Sequence, residues 1–212
     1  MSDKNPNARL EAFCDGVFGI AMTLLIIDVR IPATVEIHSN AEFWLALENI
    51  TPSIFSFTLS FTIIFITWMN HHSIMRSINK SSGSFIYANA VLLLTVVFTP
   101  FPTALLGDHL FTDHSAPSVI LYDAVLALQS VAWILMNGAA LRGKLYKDEM
   151  SHSTMRTANR NGYFAFVVYS TLAIAAFWLP QTVAAITTLT WIFWLGFGIY
   201  TLNRSTLSES TR

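Results

Sequence analysis

The sequence predicts an all-α integral membrane protein with six transmembrane helices, and three observations carry that prediction. Of its 212 residues, 53% are hydrophobic and 12% charged, against about 25% charged in a soluble domain. Asp, Glu, Lys, Arg and His are missing from residues 49–70, 81–107, 124–141 and 161–203, intervals on the scale of the roughly 20 apolar residues that a bilayer-crossing helix needs. The 12 Lys and Arg residues also segregate to one side of such a six-span layout. The near balance with 13 acids leaves no basic field to recruit nucleic acid, which is excluded as a partner. The single cysteine, Cys14, excludes a disulfide framework and a zinc site built on paired thiolates.

The first helix is expected over residues 7–31, with Asn5 as its cap and Pro6 at its first position. Its uncharged core, Gly16 to Ile27, is short enough to suggest a signal peptide. Asp28, Val29 and Arg30 stand where small residues would mark a cleavage site, so it is read as a span that Pro32 ends. The next three helices follow the charge-free runs, over 42–70, 84–106 and 117–141. Residues 161–203 accommodate two more, over 162–179 and 183–202, with the reversal at Pro180 and Gln181. Residues 141–160 read as a basic helical connector.

Loop charges test this layout. With the amino terminus in the cytoplasm, Lys4, Arg9, Arg76, Lys80, Arg142, Lys144, Lys147, Arg156, Arg160, Arg204 and Arg212 all lie inside and Arg30 alone lies outside, as the positive-inside tendency requires. Adding or losing one helix would invert every later loop. The layout therefore places both termini in the cytoplasm. No motif aligns the first three helices with the last three, so the chain reads as one six-helix domain over residues 1–212.

Several residues could carry chemistry. Asp15 sits within the first span, where a carboxylate needs a partner; Trp68, Asn70, His71 and His72, at the same level of the antiparallel second span, could supply it. That grouping is either a polar clasp between helices or a proton or cation relay. Consecutive His71 and His72 point about 100° apart on a helix and do not converge on one metal ion, and no metal is expected. Asp108, His109, Asp113 and His114 read as a solvated outer loop, and Asp123 in the fourth span is within conceivable reach of Arg30. Gly16, Ile20, Thr23 or Leu24, and Ile27 share one stripe of the first helix. The stripe is either a packing face or a pore wall whose apolar rings gate by expelling water.

These residues carry a resemblance. The run Arg9-Leu-Glu-Ala-Phe13-Cys14-Asp15-Gly16, continuing through Ile20, Thr23 and Leu24, resembles the RxxxFSDG...ITLL signature on the first helix of the transmembrane protein 175 family of potassium channels. Trp68-Met-Asn70-His71-His72 is similar to that family's WxNHH segment, and Pro100-Phe101-Pro102-Thr103 to its third helix. The resemblance implies a homotetramer in which the first helix of each chain lines a central path. It places the hydrophobic constriction on Ile20, Leu24 and Ile27, with Thr23 as the adjacent polar residue. It also places a structural polar network on Arg9, Phe13, Cys14, Asp15, Trp68, Asn70, His71 and His72. Potassium is the permeant ion, no cofactor is implied, and the location is the cell membrane. Cys14 departs from the family's serine, a stronger hydrogen-bond donor than a thiol, and Gly19 from a commoner alanine.

No TVGYG-like loop is present to strip an ion's hydration with carbonyls. The expectation is a weakly potassium-selective leak channel whose greasy constriction serves as filter and gate. A secondary transporter coupling through Asp15, Asp123 and the histidines is the alternative, weakened by the absent repeats. No GxSxG or HExxH motif points to an enzyme.

Overall fold

The computed structural model describes residues 6–210, with side chains through residue 196. The proposed Asn5 cap and the charges of Lys4 and Arg212 lie outside the described residues, as does the side chain of Arg204. Among the described residues are eight α-helices: α1 (Ala8–Leu24), α2 (Asn40–Asn49), α3 (Thr51–Ser77), α4 (Gly83–Phe98), α5 (Pro100–His109), α6 (Ser115–Arg142), α7 (Glu149–Ala175) and α8 (Pro180–Ser210). Among the described residues, four segments are long and apolar enough to cross a membrane: Ala8–Asp28, Thr51–Ser77, Gly83–His109 and Ser115–Arg142. The protein is therefore a helical membrane protein.

Local chemistry moved several boundaries from their expected places. The first span starts at Ala8 and ends at Asp28 after a 3-10 turn over Leu25–Asp28, rather than running from 7 to 31. Asn7 takes the cap position, yet its side chain makes no capping bond. It reaches across the bundle instead, donating to the Ile78 carbonyl at 3.5 Å and accepting from Ser81 at 2.7 Å.

The expected 42–70 helix is two helices. Ser39 caps the short α2 by accepting from the Glu42 N–H at 3.2 Å, and Pro52 in the first turn opens α3, where its missing N–H costs nothing. α3 then continues to Ser77, past His71 and His72, because the buried His71 finds a hydrogen-bond partner within the bundle and so can be carried inside it. The expected 84–106 helix is divided at Thr99, since Pro100 and Pro102 withhold two ladder donors. The hydroxyls of Thr95, Thr99 and Thr103 bond back to the carbonyls of Leu92, Thr95 and Thr99. α7 begins at Glu149, well before residue 162, because Asp148 caps it through the Ser151 N–H at 2.7 Å. That bond holds the exposed Asp148 carboxyl below its usual range, so the cap is intact above that range and is lost as pH falls through the lowered value. Pro180 starts α8 instead of sitting within the reversal.

Three apolar clusters hold the helices together. Cys14, Phe18, Ala21 and Leu25 dock α1 onto Ile64 of α3 and Leu93 and Val96 of α4. Phe85, Leu92, Met136, Ala140 and Met155 close the end of the bundle where α1 begins. Leu59, Leu106, Tyr122, Leu126, Tyr169 and Trp191 fill the other half, between α3, α5, α6, α7 and α8. Two glycines permit the closest approaches. A Cβ at Gly107 would stand 2.9 Å from the Ser53 Cα, and one at Gly162 would stand 3.0 Å from the Ile134 side chain. The α6–α7 turn places Lys144 at φ 49, a left-handed conformation that disfavours any residue with a Cβ. Lys144→Gly is expected to stabilise the fold by about 1 kcal/mol, seen as a higher thermal midpoint in detergent.

Candidate functional site

α1 has two unlike faces. One carries Cys14, Phe18, Ala21 and Leu25 at steps of three and four, all buried in the protomer. The opposite face carries Gly16, Ile20, Thr23, Leu24 and Ile27, all exposed. Ile20 and Ile27 are 61% and 58% accessible, values that belong on a surface meeting lipid or another chain. Gly16 and Gly19 have nothing within 4 Å of a built Cβ. The Thr23 hydroxyl donates to the Ile20 carbonyl at 2.9 Å, which uses its proton and leaves its oxygen lone pairs free to face outward.

On the buried side, polar groups join α1 to α3 and α4. The Trp68 indole donates to Asp15 Oδ1 at 2.8 Å. Asn89 of α4 donates its amide to Cys14 Sγ at 3.1 Å. His71 Nε2 lies 2.9 Å from Asn89 Oδ1, so the imidazole donates there, and its ring tilts against Phe18 with centroids 5.4 Å apart. His72 stacks on Trp68 and places Nδ1 3.1 Å from Glu11 Oε1. The thiol at position 14 thus serves as an acceptor, a role in which it replaces a hydroxyl's oxygen rather than its proton.

The structure brings together Cys14, Asp15, Trp68, His71 and His72 from the sequence-derived set. It does not bring in Arg9, Phe13 or Asn70 within one protomer. Arg9 is exposed at the start of α1, Phe13 lies on the outward face at 62% accessibility, and Asn70 opens toward α6 and α7. Asn89 and Glu11 were missed by sequence reasoning. Asn89 is the one side-chain amide in the apolar α4, and such a residue in a span announces a partner; Glu11 precedes Asp15 by four residues and so shares its face.

Asp123 does not pair with Arg30. The carboxylate is fully buried and accepts from the Thr187 hydroxyl at 2.9 Å, whereas Arg30 is exposed beyond the end of α1. A neutral donor on α8 serves Asp123 without desolvating a guanidinium. Asp108, His109, Asp113 and His114 are exposed, and no group of three or more His, Cys, Asp or Glu able to hold a metal occurs among the described residues.

Trp68→Phe is expected to destabilise the protomer by about 1–3 kcal/mol, because it leaves a partly buried carboxylate oxygen without its donor. Adding Asp15→Ala should recover part of that loss. Unfolding titrations in mixed micelles measure both, and a Trp68→Phe midpoint equal to the parent's would remove the clasp from the stability account.

Comparison with known proteins places this arrangement. The family model described as endosomal/lysosomal potassium channel TMEM175 matches residues 9–100, which include α1, α3 and α4 and hence every group in the clasp. A potassium channel of Chamaesiphon minutus is 30% identical over 181 residues, covering 84% of this chain and 89% of that one. The chain belongs to the TMEM175 family. TMEM175 proteins are ion channels, not enzymes. The crystal structure of a lysosomal potassium-selective channel TMEM175 homolog from Chamaesiphon minutus superposes with a TM-score of 0.78 at 26% identity, covering 89% of this chain and 96% of that one. The chicken endosomal/lysosomal proton channel TMEM175 is 25% identical over 187 residues, which span 84% of this chain and 37% of that protein. The coupled-transporter alternative is not favoured by these likenesses.

Proposed function

We propose that this TMEM175 protein is a weakly selective potassium leak channel. It is a homotetramer of six-span protomers, with four copies of α1 around the ion path. The observation that carries the reading is the outward face of α1, on which Ile20, Leu24 and Ile27 form an exposed apolar stripe beside a helix side already packed into its own protomer. Gly16 and Gly19, with no neighbour inside the protomer, suit the approach of a second backbone. Four such stripes about one axis make rings of aliphatic side chains, through which a cation passes only after shedding part of its water. The same rings gate by dewetting. Thr23, its proton held by the Ile20 carbonyl, turns oxygen lone pairs toward the ion and offsets part of the lost hydration. A filter without a carbonyl cage separates K+ from Na+ weakly.

In this reading α7 and α8 complete six spans, the chain is a single domain, and it lies in the cell membrane with both termini in the cytoplasm. The clasp of Asp15, Trp68, Cys14, Asn89 and His71 holds α1 upright behind the constriction and takes no part in permeation. The test is to reconstitute the purified chain in liposomes and measure reversal potentials under K+/Na+ gradients. The expected result is a current whose reversal lies on the potassium side of zero. Silent bilayers, or flux that saturates and requires a co-ion, would overturn the reading.

A further inference from the structure

A cavity of about 350 Å³ lies between α3, α6, α7 and α8, away from the outward face of α1. It falls within the size range of small-molecule sites. Gln129 and Asn137, eight residues apart on α6, stand about 12 Å apart along its length. One end is aromatic, walled by Phe65, Tyr169 and Trp191; the other is polar, with Asn70, Asn161 and Thr154. Tyr169 and Trp191 stack with their ring planes 12° apart, giving that wall a rigid flat face. Apart from the Tyr169 phenol, none of the lining side chains is ionisable.

Three of the lining side chains are nine-tenths buried or more and have a polar atom without a hydrogen-bond partner among the described residues. Gln129 Nε2 and Trp191 Nε1 are donors with no acceptor, and Asn137 Oδ1 is an acceptor with no donor. One N–H of the Asn137 amide is committed to the Trp133 carbonyl at 3.0 Å, which holds the side chain with its oxygen unmet. Buried polar atoms are normally satisfied, and leaving one unmet forfeits the solvation it would have in water. We infer that this cavity is a binding site for a small uncharged amphiphile bearing a hydroxyl group. Its apolar body would lie on the Tyr169–Trp191 face, and its oxygen would take a hydrogen bond from Gln129. A charged ligand would find no countercharge there; a plain hydrocarbon would leave all three polar atoms unmet.

The probe is para-bromophenol, uncharged at neutral pH, with bromobenzene as the control that lacks the hydroxyl. Bromine quenches tryptophan on contact, and Trp133, Trp191 and Trp194 line the cavity. With the full chain in lipid nanodiscs, the phenol should quench a saturable fraction of the fluorescence, above the linear quenching that both compounds give by partitioning into lipid. Gln129→Leu should raise its half-saturating concentration about 3- to 10-fold, the effect of one hydrogen bond. Ala165→Leu, which fills the cavity without touching a polar atom, should abolish the saturable fraction and serves as the second test should Gln129→Leu fail to fold. Equal and linear quenching by the two compounds would overturn the assignment and leave the cavity to water or lipid tails. So would saturation that is insensitive to whichever of these substitutions folds.

Discussion

Ile20→Asn should raise potassium conductance about tenfold or more and erode discrimination against sodium, to be measured as single-channel current and reversal potential in planar bilayers. Ile20 is the most exposed of the three residues proposed for the constriction, ahead of Ile27 and Leu24. An aliphatic ring offers a passing cation no replacement for the water it must leave behind. An amide ring does, and a tenfold rise in rate needs the barrier lowered by only about 1.4 kcal/mol. In the proposed filter the same substitution would remove the step at which partial dehydration distinguishes the two ions, so conductance and selectivity should move in opposite directions. Ile20 meets few neighbours inside its own protomer, and the change should leave protomer unfolding close to the parent's. Recordings in which the variant matches the parent would take Ile20 out of the constriction.

Gly107→Val should be the most damaging substitution in the protomer, costing about 3 kcal/mol or more and lowering the thermal midpoint in detergent. A Cβ there would lie 2.8 Å from Ser56 Oγ, 2.9 Å from the Ser53 Cα and 3.1 Å from Ser53 Oγ. A serine hydroxyl can rotate away, but the backbone of α3 cannot move without disturbing its contacts along the bundle, and overpacking by one or two carbons already costs about 1–3 kcal/mol. Gly16→Ala is the informative contrast. Nothing in the protomer lies near that position, and alanine improves helix propensity by up to about 1 kcal/mol. A variant with unchanged protomer stability but fewer detergent-stable tetramers would locate the Gly16 face at the contact between copies. Undiminished tetramers would place that face against lipid.

The clasp was half visible before any coordinates. Asp15 within a span demanded a partner, and the antiparallel layout put Trp68, His71 and His72 at its level, because depth along a span follows from counting residues at a fixed rise. Asn89 escaped that argument. Its depth was equally countable, but a neutral amide can bond its own helix or water, so its sequence position carries no instruction to reach Cys14 and His71. The Arg30–Asp123 pairing failed for a related reason: matching depth says nothing about rotation around the helix axis, and Thr187 faced Asp123 while Arg30 did not.

Composition and charge-free intervals were enough for the helical membrane class and for the approximate place of the first four spans, and steps of three and four along α1 were enough for its stripe of Gly16, Ile20, Thr23, Leu24 and Ile27. All of these follow from local quantities, namely transfer free energy and a rise of about 1.5 Å per residue. Helix ends, the division at Thr99, the extension of α3 past His71, and the cavity between α3, α6, α7 and α8 depended on what lay across from each residue. Those are pairings between segments far apart in the chain, set by helix rotation and by which glycine lets two backbones meet, and no periodicity within one segment encodes them.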